Sequence, residues 1–365
     1  MSKQRLIVLF DGTWNDPEDQ TNVYRLSRRI HDYDGDIRQR FFYDPGVGTS
    51  RLLRLVSGLT GLGLSKNLLQ GYDWLAKRYV PGDEIWIFGF SRGAYTARSL
   101  VGLIRKCGVL HITTPRLLRE TKRLYRNKNL HPDSPECRQF RKAYSREVKI
   151  HFVGVWDTVG ALGIPGTIFS KINRYFSWHN TALSKIVERA YHAMALDEHR
   201  AIYDISLWAD LEGKEKPGQT VEQRWFIGAH ANVGGGYGND PLADISLEWM
   251  LNKARGAKLA VETFTAEENA WQTPPRPSFN EFLWGVYASI KKLISKPDGK
   301  HYRKYSEGYD KTLAKKTQAI NVTIDNSVWK RWKDDTRAYR PNTLVLAEQL
   351  PQKIEAKVSA EDPVT

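Results

Sequence analysis

Ser91 stands in the stretch DEIWIFGFSRGAYTARSLVGLIRKCG (83–108), between two glycines, just after an apolar run and just before a helical pattern. A G-x-S-x-G in that setting has the form of a nucleophile elbow. The turn is so sharp that side chains at Gly89 and Gly93 would collide with neighbouring backbone, and the hydroxyl is left exposed. Its chemical use is acyl transfer, with the backbone N–H of Arg92 at the start of the following helix able to receive an oxyanion. The plainer alternative is a tight strand-to-helix turn.

A serine nucleophile needs a base and a group that orients the base, and in hydrolases built on this elbow the acid precedes the histidine along the chain. Of nine histidines, His31, His111, His131, His179 and His301 lie in polar stretches with no strand before them. His151 lies inside a strand pattern, and His192 and His199 fall in a helical pattern. His230 ends the apolar run RWFIGA and opens the glycine-rich HANVGGGYGND, which makes it the candidate base, with a structural loop histidine as the alternative. Asp157 ends KIHFVGVW in the same manner and is the candidate acid, with a turn-capping role as its alternative. Asp204, Asp240 and Asp244 sit in settings with simpler uses. A second oxyanion donor is expected from the loop after LIVLF, at Thr13 or Gly12, where an ordinary Asp-Gly turn is the competing reading. YDPGVGT (43–49) is expected to line the same edge.

Several elements must position these residues. Apolar runs of strand length recur at 6–10, 39–43, 84–90, 149–156 and 224–229. Between them lie amphipathic patterns: NVYRLSRRIHDY, SKNLLQGYDWLAKRYV, AYTARSLVGLIRKCG and SKIVERAYHAMALDEHRA. That alternation predicts an α/β fold with a mostly parallel sheet and helices on both faces. In the third pattern Ala94, Ala97, Val101 and Ile104 share a face, and Gly108 falls at the C-cap. From about residue 255 the chain turns polar and basic. The pattern predicts one domain over 1–345, its part from 255 packed on the rest as a C-terminal extension, and a flexible tail over 346–365.

Composition narrows the class. In 365 residues, 41% hydrophobic and 12% aromatic, there is material for a large core. The formal net charge of +14 implies an anionic partner, such as nucleic acid, a phospholipid surface or an acidic substrate. Basic residues concentrate in RLLRETKRLYRNK, KKLISKPDGKHYRK and WKRWKDD. The first sets Leu117, Leu118 and Leu124 among cations, as either an interfacial helix or a solvated helix face would. No nucleic-acid-binding motif accompanies these patches. The two cysteines, Cys107 and Cys137, make no disulfide framework or zinc site. DYDGD (32–36) lacks the glycine position and closing Glu of a calcium loop, and no phosphate loop is present. No apolar stretch reaches the ~18 residues of a membrane span, and the N-terminal run reads as a strand rather than a signal peptide.

Taken together, FDGTWND, YDPGVGT, GFSRGAYTAR, VGVWDTVGALG, ALDEHR, WFIGAHANVGGGYG, PLADISLEWM and YRPNTL resemble the successive signature blocks of one family, in order from about residue 6 to 345. It is the α/β-hydrolase family that includes the phospholipase effectors of bacterial type VI secretion. The resemblance implies an α/β-hydrolase-like fold, Ser91 as nucleophile, Asp157 as acid and His230 as base. Asn232 stands where that family commonly has Asp. Residues and resemblance together predict a serine hydrolase of carboxylic esters, those of phospholipids above all, needing no cofactor, with peripheral contact to an anionic membrane and delivery by a type VI machine. A soluble-ester esterase and a basic, non-catalytic module binding nucleic acid or a protein stand as alternatives.

Overall fold

Leu6 to Phe10 and Ile85 to Phe88 are unbroken apolar runs in which every residue is buried, because each strand is covered on both faces. The computed structural model describes residues 3–12, 20–46, 62–160, 183–281, 299–310 and 315–347. From the N-terminus come β1 (Gln4–Phe10), α1 (Asn22–Ser27), β2 (Tyr33–Asp34), β3 (Ile37–Asp44), α2 (Leu62–Ala76), β4 (Glu84–Phe90) and α3 (Arg92–Cys107). The pair β5 (Val109–Leu110) and β6 (Ser145–Arg146) brackets α4 (Pro115–Arg126) and α5 (Pro135–Tyr144). Then follow β7 (Ile150–Trp156), β8 (Val187–Ala195), β9 (Ala209–Asp210), β10 (Thr220–Phe226), α6 (His230–Gly234) and α7 (Pro241–Gly256). The C-terminal part contributes β11 (Glu307–Asp310), β12 (Lys315–Ala319) and β13 (Val322–Ile324).

Among the described residues the main sheet has eight strands, in the order β2-β3-β1-β4-β7-β8-β10-β13. Every neighbouring pair is parallel except the β2–β3 hairpin, which DYDGD closes. The chain moves from β1 to β3 on one side and then to β4 on the other. The strand order therefore reverses between β1 and β4, and a crevice opens beyond their C-terminal ends. Leu6, Val8, Ile85 and Ile87 face a core beneath α2, α3 and α4; Ile7, Leu9, Trp86 and Phe88 face the opposite core, beneath α1 and α7. A third cluster joins Met194, Trp225 and Ile227 to Ala319, Val328 and Leu344 of the C-terminal part.

Three expectations need correction. SKIVERAYHAMALDEHRA is not a helix: Val187–Ala195 is strand β8, hydrogen-bonded to β7 on one side and β10 on the other. Its alanines favour a helix locally, but two parallel neighbours and near-complete burial override that preference. His192 accordingly lies buried within the sheet, accepting the Thr158 N–H at 3.1 Å, and His199 lies in the loop beyond. The helix expected from NVYRLSRRIHDY stops at Ser27, because Ile30 bridges to Val261 and the His31 N–H donates to Ala260 O, drawing the chain out straight. In α4, Leu124 is buried and Leu117 and Leu118 pack partly buried on the same core, so the interfacial-helix reading gives way to its alternative, a solvated face that carries Arg116, Arg119 and Arg123. Gly108 does cap α3, with φ 72° and its N–H on Ile104 O. Thr13, residues 47–49 and all but the first two residues of the expected tail lie outside the described residues.

Candidate active site

β4 ends at Phe90 and α3 begins at Arg92, so Ser91 alone makes the reversal. Its φ of 59° and ψ of −122° are costly for a residue with a side chain. Two backbone bonds hold it: the Ser91 N–H donates to Trp156 O at the end of β7 (3.0 Å), and Ser91 O accepts from the Tyr95 N–H (3.2 Å). The flanking glycines are demanded by space. A Cβ on Gly89 would lie 2.6 Å from Gly93 O, and one on Gly93 would lie 2.2 Å from Phe10 O and 2.4 Å from Asp11 O. Such approaches let β1, β4 and α3 close on one another where the strand order reverses.

His230 is the first residue of α6, delivered there by the turn after β10, where Gly228 takes φ 112°. The imidazole sits between the rings of Phe90 and Tyr203, with centroids 4.7 and 4.8 Å away. Its Nε2 is 2.7 Å from Ser91 Oγ and its Nδ1 is 2.5 Å from Asp157 Oδ2. Asp157 follows β7 at φ 37° and is fully buried. Its Oδ1 accepts the Ala195 N–H (2.9 Å) and Arg303 Nη1 (2.7 Å), while Oδ2 accepts Arg303 Nη2 at 2.9 Å. The Arg303 guanidinium is itself fixed by the carbonyls of Ala195 and Tyr203. Behind it, Glu198 and Arg200 form a second buried ion pair at 2.6 Å, and Glu198 accepts the His230 N–H. The Arg200 guanidinium lies 3.9 Å over the Tyr203 ring.

These surroundings set the charges. Burial works against an ionised Asp157, but the charge of Arg303 and the bonds from His230 and Arg303 outweigh it and hold the carboxyl well below its ordinary range. That stabilisation is in place above the ordinary carboxylate value and fades as the pH falls through it toward the folded one. Burial lowers the His230 pKa, and the carboxylates of Asp157 and Glu198 only partly restore it. His192, behind Asp157, is pushed down to about 3 by burial and by Arg98. A neutral imidazole with Nδ1–H on an ionised carboxylate leaves Nε2 to accept the serine proton.

Ser91, His230 and Asp157 thus meet, from positions 139 and 73 residues apart. The Gly12 N–H donates to Asp11 Oδ1 at 2.7 Å, a bond that competes with the expected oxyanion role. Gly46 of YDPGVGT packs on Gly12, where a Cβ would lie 2.6 Å from Gly12 O. Sequence reasoning missed Arg303, one cation among many in a basic stretch. It also passed over Glu198 and Arg200, whose only signal was their place in ALDEHR. Among the described residues, no cluster of His, Cys, Asp and Glu is placed to hold a metal ion, and no helix is long and apolar enough to cross a membrane.

Asn232 fixes the loop that carries His230. Its Oδ1 accepts the N–H groups of Ala229 and Arg276, and its Nδ2 donates to Asp240 at 2.9 Å. Burial already raises the Asp240 pKa. An Asn232→Asp variant sets two carboxylates face to face and is expected to lose about 1–3 kcal/mol at neutral pH. The pair binds a proton more tightly folded than unfolded, so the deficit against wild type shrinks as the pH falls into the carboxylate range. Melting temperatures of both proteins across pH check this; a constant deficit counts against it.

The family model described as T6SS, Phospholipase effector Tle1-like, catalytic domain, matches residues 4–253. The Saccharomyces cerevisiae protein YEL023C is 32% identical over 225 residues, 54% of this chain but 32% of its own length. Among solved structures, an uncharacterized protein from Pseudomonas aeruginosa shares 19% identity at a TM-score of 0.43, over 72% of this chain and 47% of that one. The Tle1 effector bound to the VgrG spike of the type 6 secretion system shares 17% identity at a TM-score of 0.40, over 66% and 52%. The chain spans about a third of the yeast relative's length and about half of each solved chain. With the family model covering more than half of its residues, the chain belongs to the Tle1-like phospholipase effectors of type VI secretion, through their catalytic domain.

Proposed function

We propose that this protein is a serine hydrolase that cleaves carboxylic esters of phospholipids. One observation carries the reading: the hydrogen bonds from Ser91 Oγ through both nitrogens of His230 to Asp157, at 2.7 and 2.5 Å. Ser91 Oγ attacks the acyl carbonyl carbon while its proton passes to His230 Nε2, and the carbonyl electron pair moves onto oxygen. As the oxyanion collapses, the alcohol leaves as lysolipid with the proton from His230, and the acyl group remains on Ser91. Water repeats the sequence and releases the fatty acid. Asp157 holds the tautomer and stabilises the imidazolium. The Arg92 N–H lies at the positive end of α3 to receive the oxyanion, with Thr13 as the second donor. These steps need no cofactor.

Family membership supports phospholipid as the substrate and a type VI machine as the means of delivery. The net charge of +14 supports attraction to an anionic bilayer, which salt weakens. With vesicles of phosphatidylcholine and phosphatidylglycerol, wild type is expected to release fatty acid and lysophospholipid. Ser91→Ala should release them at least about a thousandfold more slowly. Equal release by the two proteins refutes the mechanism. Hydrolysis of a soluble ester without any release from vesicles refutes the lipid assignment alone.

A further inference from the structure

We propose that Arg303 is a positioning residue for this reaction: its guanidinium fixes Asp157 through both carboxylate oxygens and cancels the charge that Asp157 would otherwise impose on His230. The inference rests on the serine-hydrolase reading above and extends it to a residue outside the stretch that matches the family model, which ends at 253.

The fork is built rather than incidental. Arg303 and Asp157 have fully buried side chains, and the two guanidinium bonds run at 2.7 and 2.9 Å to different oxygens. The carbonyls of Ala195 and Tyr203 hold the same two nitrogens from behind, so the plane of the guanidinium is set by backbone. Its own segment is anchored as well. The His301 N–H donates to His199 O, and the Trp225 indole N–H to Tyr305 O. The carboxylate plane, and with it the direction in which His230 is held, is therefore referred to backbone at the end of β8 and in the segment beyond it.

The electrical effect follows from the neighbours. Facing His230 are Ser91 from the elbow, Asp157 from the loop after β7, Glu198 and Arg200 from the loop after β8, and the Phe90 and Tyr203 rings. His192, behind Asp157, is neutral. Asp157 with Arg303 and Glu198 with Arg200 are two acid–base pairs, each without net charge. A lone buried carboxylate would draw a proton onto the imidazole and would oppose the oxyanion. Paired with Arg303, it keeps its hydrogen bond to Nδ1 but exerts much less of that pull. Burial then decides, and the imidazole stays neutral into mildly acid solution.

The test is labelling of the full-length protein by an alkyl fluorophosphonate. Ser91 Oγ displaces fluoride from phosphorus, so a P–O bond forms as the P–F bond breaks. The hydroxyl proton passes to His230 and fluoride departs with the bonding pair. In wild type the labelling rate is expected to fall to half its plateau below the ordinary histidine value of about pH 6.5. In Arg303→Gln and Arg303→Met that half-point should move up by about one pH unit or more. Arg303→Lys keeps the charge but not the fork, so its half-point should stay while the plateau rate drops severalfold.

Failure of the two ideas can be told apart. No labelling of wild type, or labelling that persists in Ser91→Ala, overturns the hydrolase reading and this inference with it. Labelling confined to Ser91, with the same half-point in wild type and a folded Gln or Met variant, overturns the role of Arg303 alone. Should both neutral variants fail to fold, the Lys variant decides. A shifted half-point overturns the charge argument, and an unchanged plateau overturns the fork.

Discussion

Replacing His230 by Ala is expected to leave a folded protein whose kcat/KM on a soluble ester is lower by about four orders of magnitude or more. The rate is lost because no other base lies within reach of Ser91 Oγ among its described hydrogen-bond partners. The fold survives because Asp157 keeps its other bonds, from Arg303 and from the Ala195 N–H. Removing the carboxylate has a different result. Asp157→Ala strands the Arg303 guanidinium in a site with no exposure, and loss of one member of a buried pair costs about 3–5 kcal/mol. Denaturant unfolding of both variants beside their kinetics separates the two losses. If His230→Ala unfolds as readily as Asp157→Ala, the ion pair is not what supports this corner.

A Gly93→Ala substitution is expected to cost more than about 4 kcal/mol, a large share of the roughly 5–15 kcal/mol by which an ordinary domain is folded. The added methyl would meet two backbone oxygens of the β1 end at 2.2 and 2.4 Å. Neither can retreat cheaply. Phe10 is paired with β3 and β4, and the Asp11 N–H is held by Asp44 O at 2.9 Å. Gly256, the last residue of α7, is the control: a Cβ there meets nothing within 4 Å, so Gly256→Ala should be neutral or stabilising by up to about 1 kcal/mol. Thermal melting of the two variants decides. A Gly93→Ala protein that melts with wild type would mean that the close approach of α3 to β1 is not rigid.

The residues that meet at the site were legible for one reason. Ser91, Asp157 and His230 each follow an apolar run, and a parallel strand buried on both faces announces itself without help from its partners. β8 is equally buried but reads locally as a helix, since Ala190, Ala193 and Ala195 are small enough to suit one and only the flanking strands decide. Arg303 left no local trace. Its meaning lies in a contact 146 residues away, and the surrounding basic residues hide it. In α4, the mixing of leucines with arginines left the direction of the apolar side open until the packing of Leu124 fixed it.

The distant origin of Arg303 also bears on the order in which the polypeptide is synthesised. A nascent chain that has emerged only as far as α7 already carries the hydroxyl, the imidazole and the carboxylate, yet lacks the cation that locks them. Contacts of such long sequence separation are slow to form. The finished geometry therefore waits for the segment that carries residue 303, and a product cut short before it would have Ser91, Asp157 and His230 without the guanidinium that holds the carboxylate.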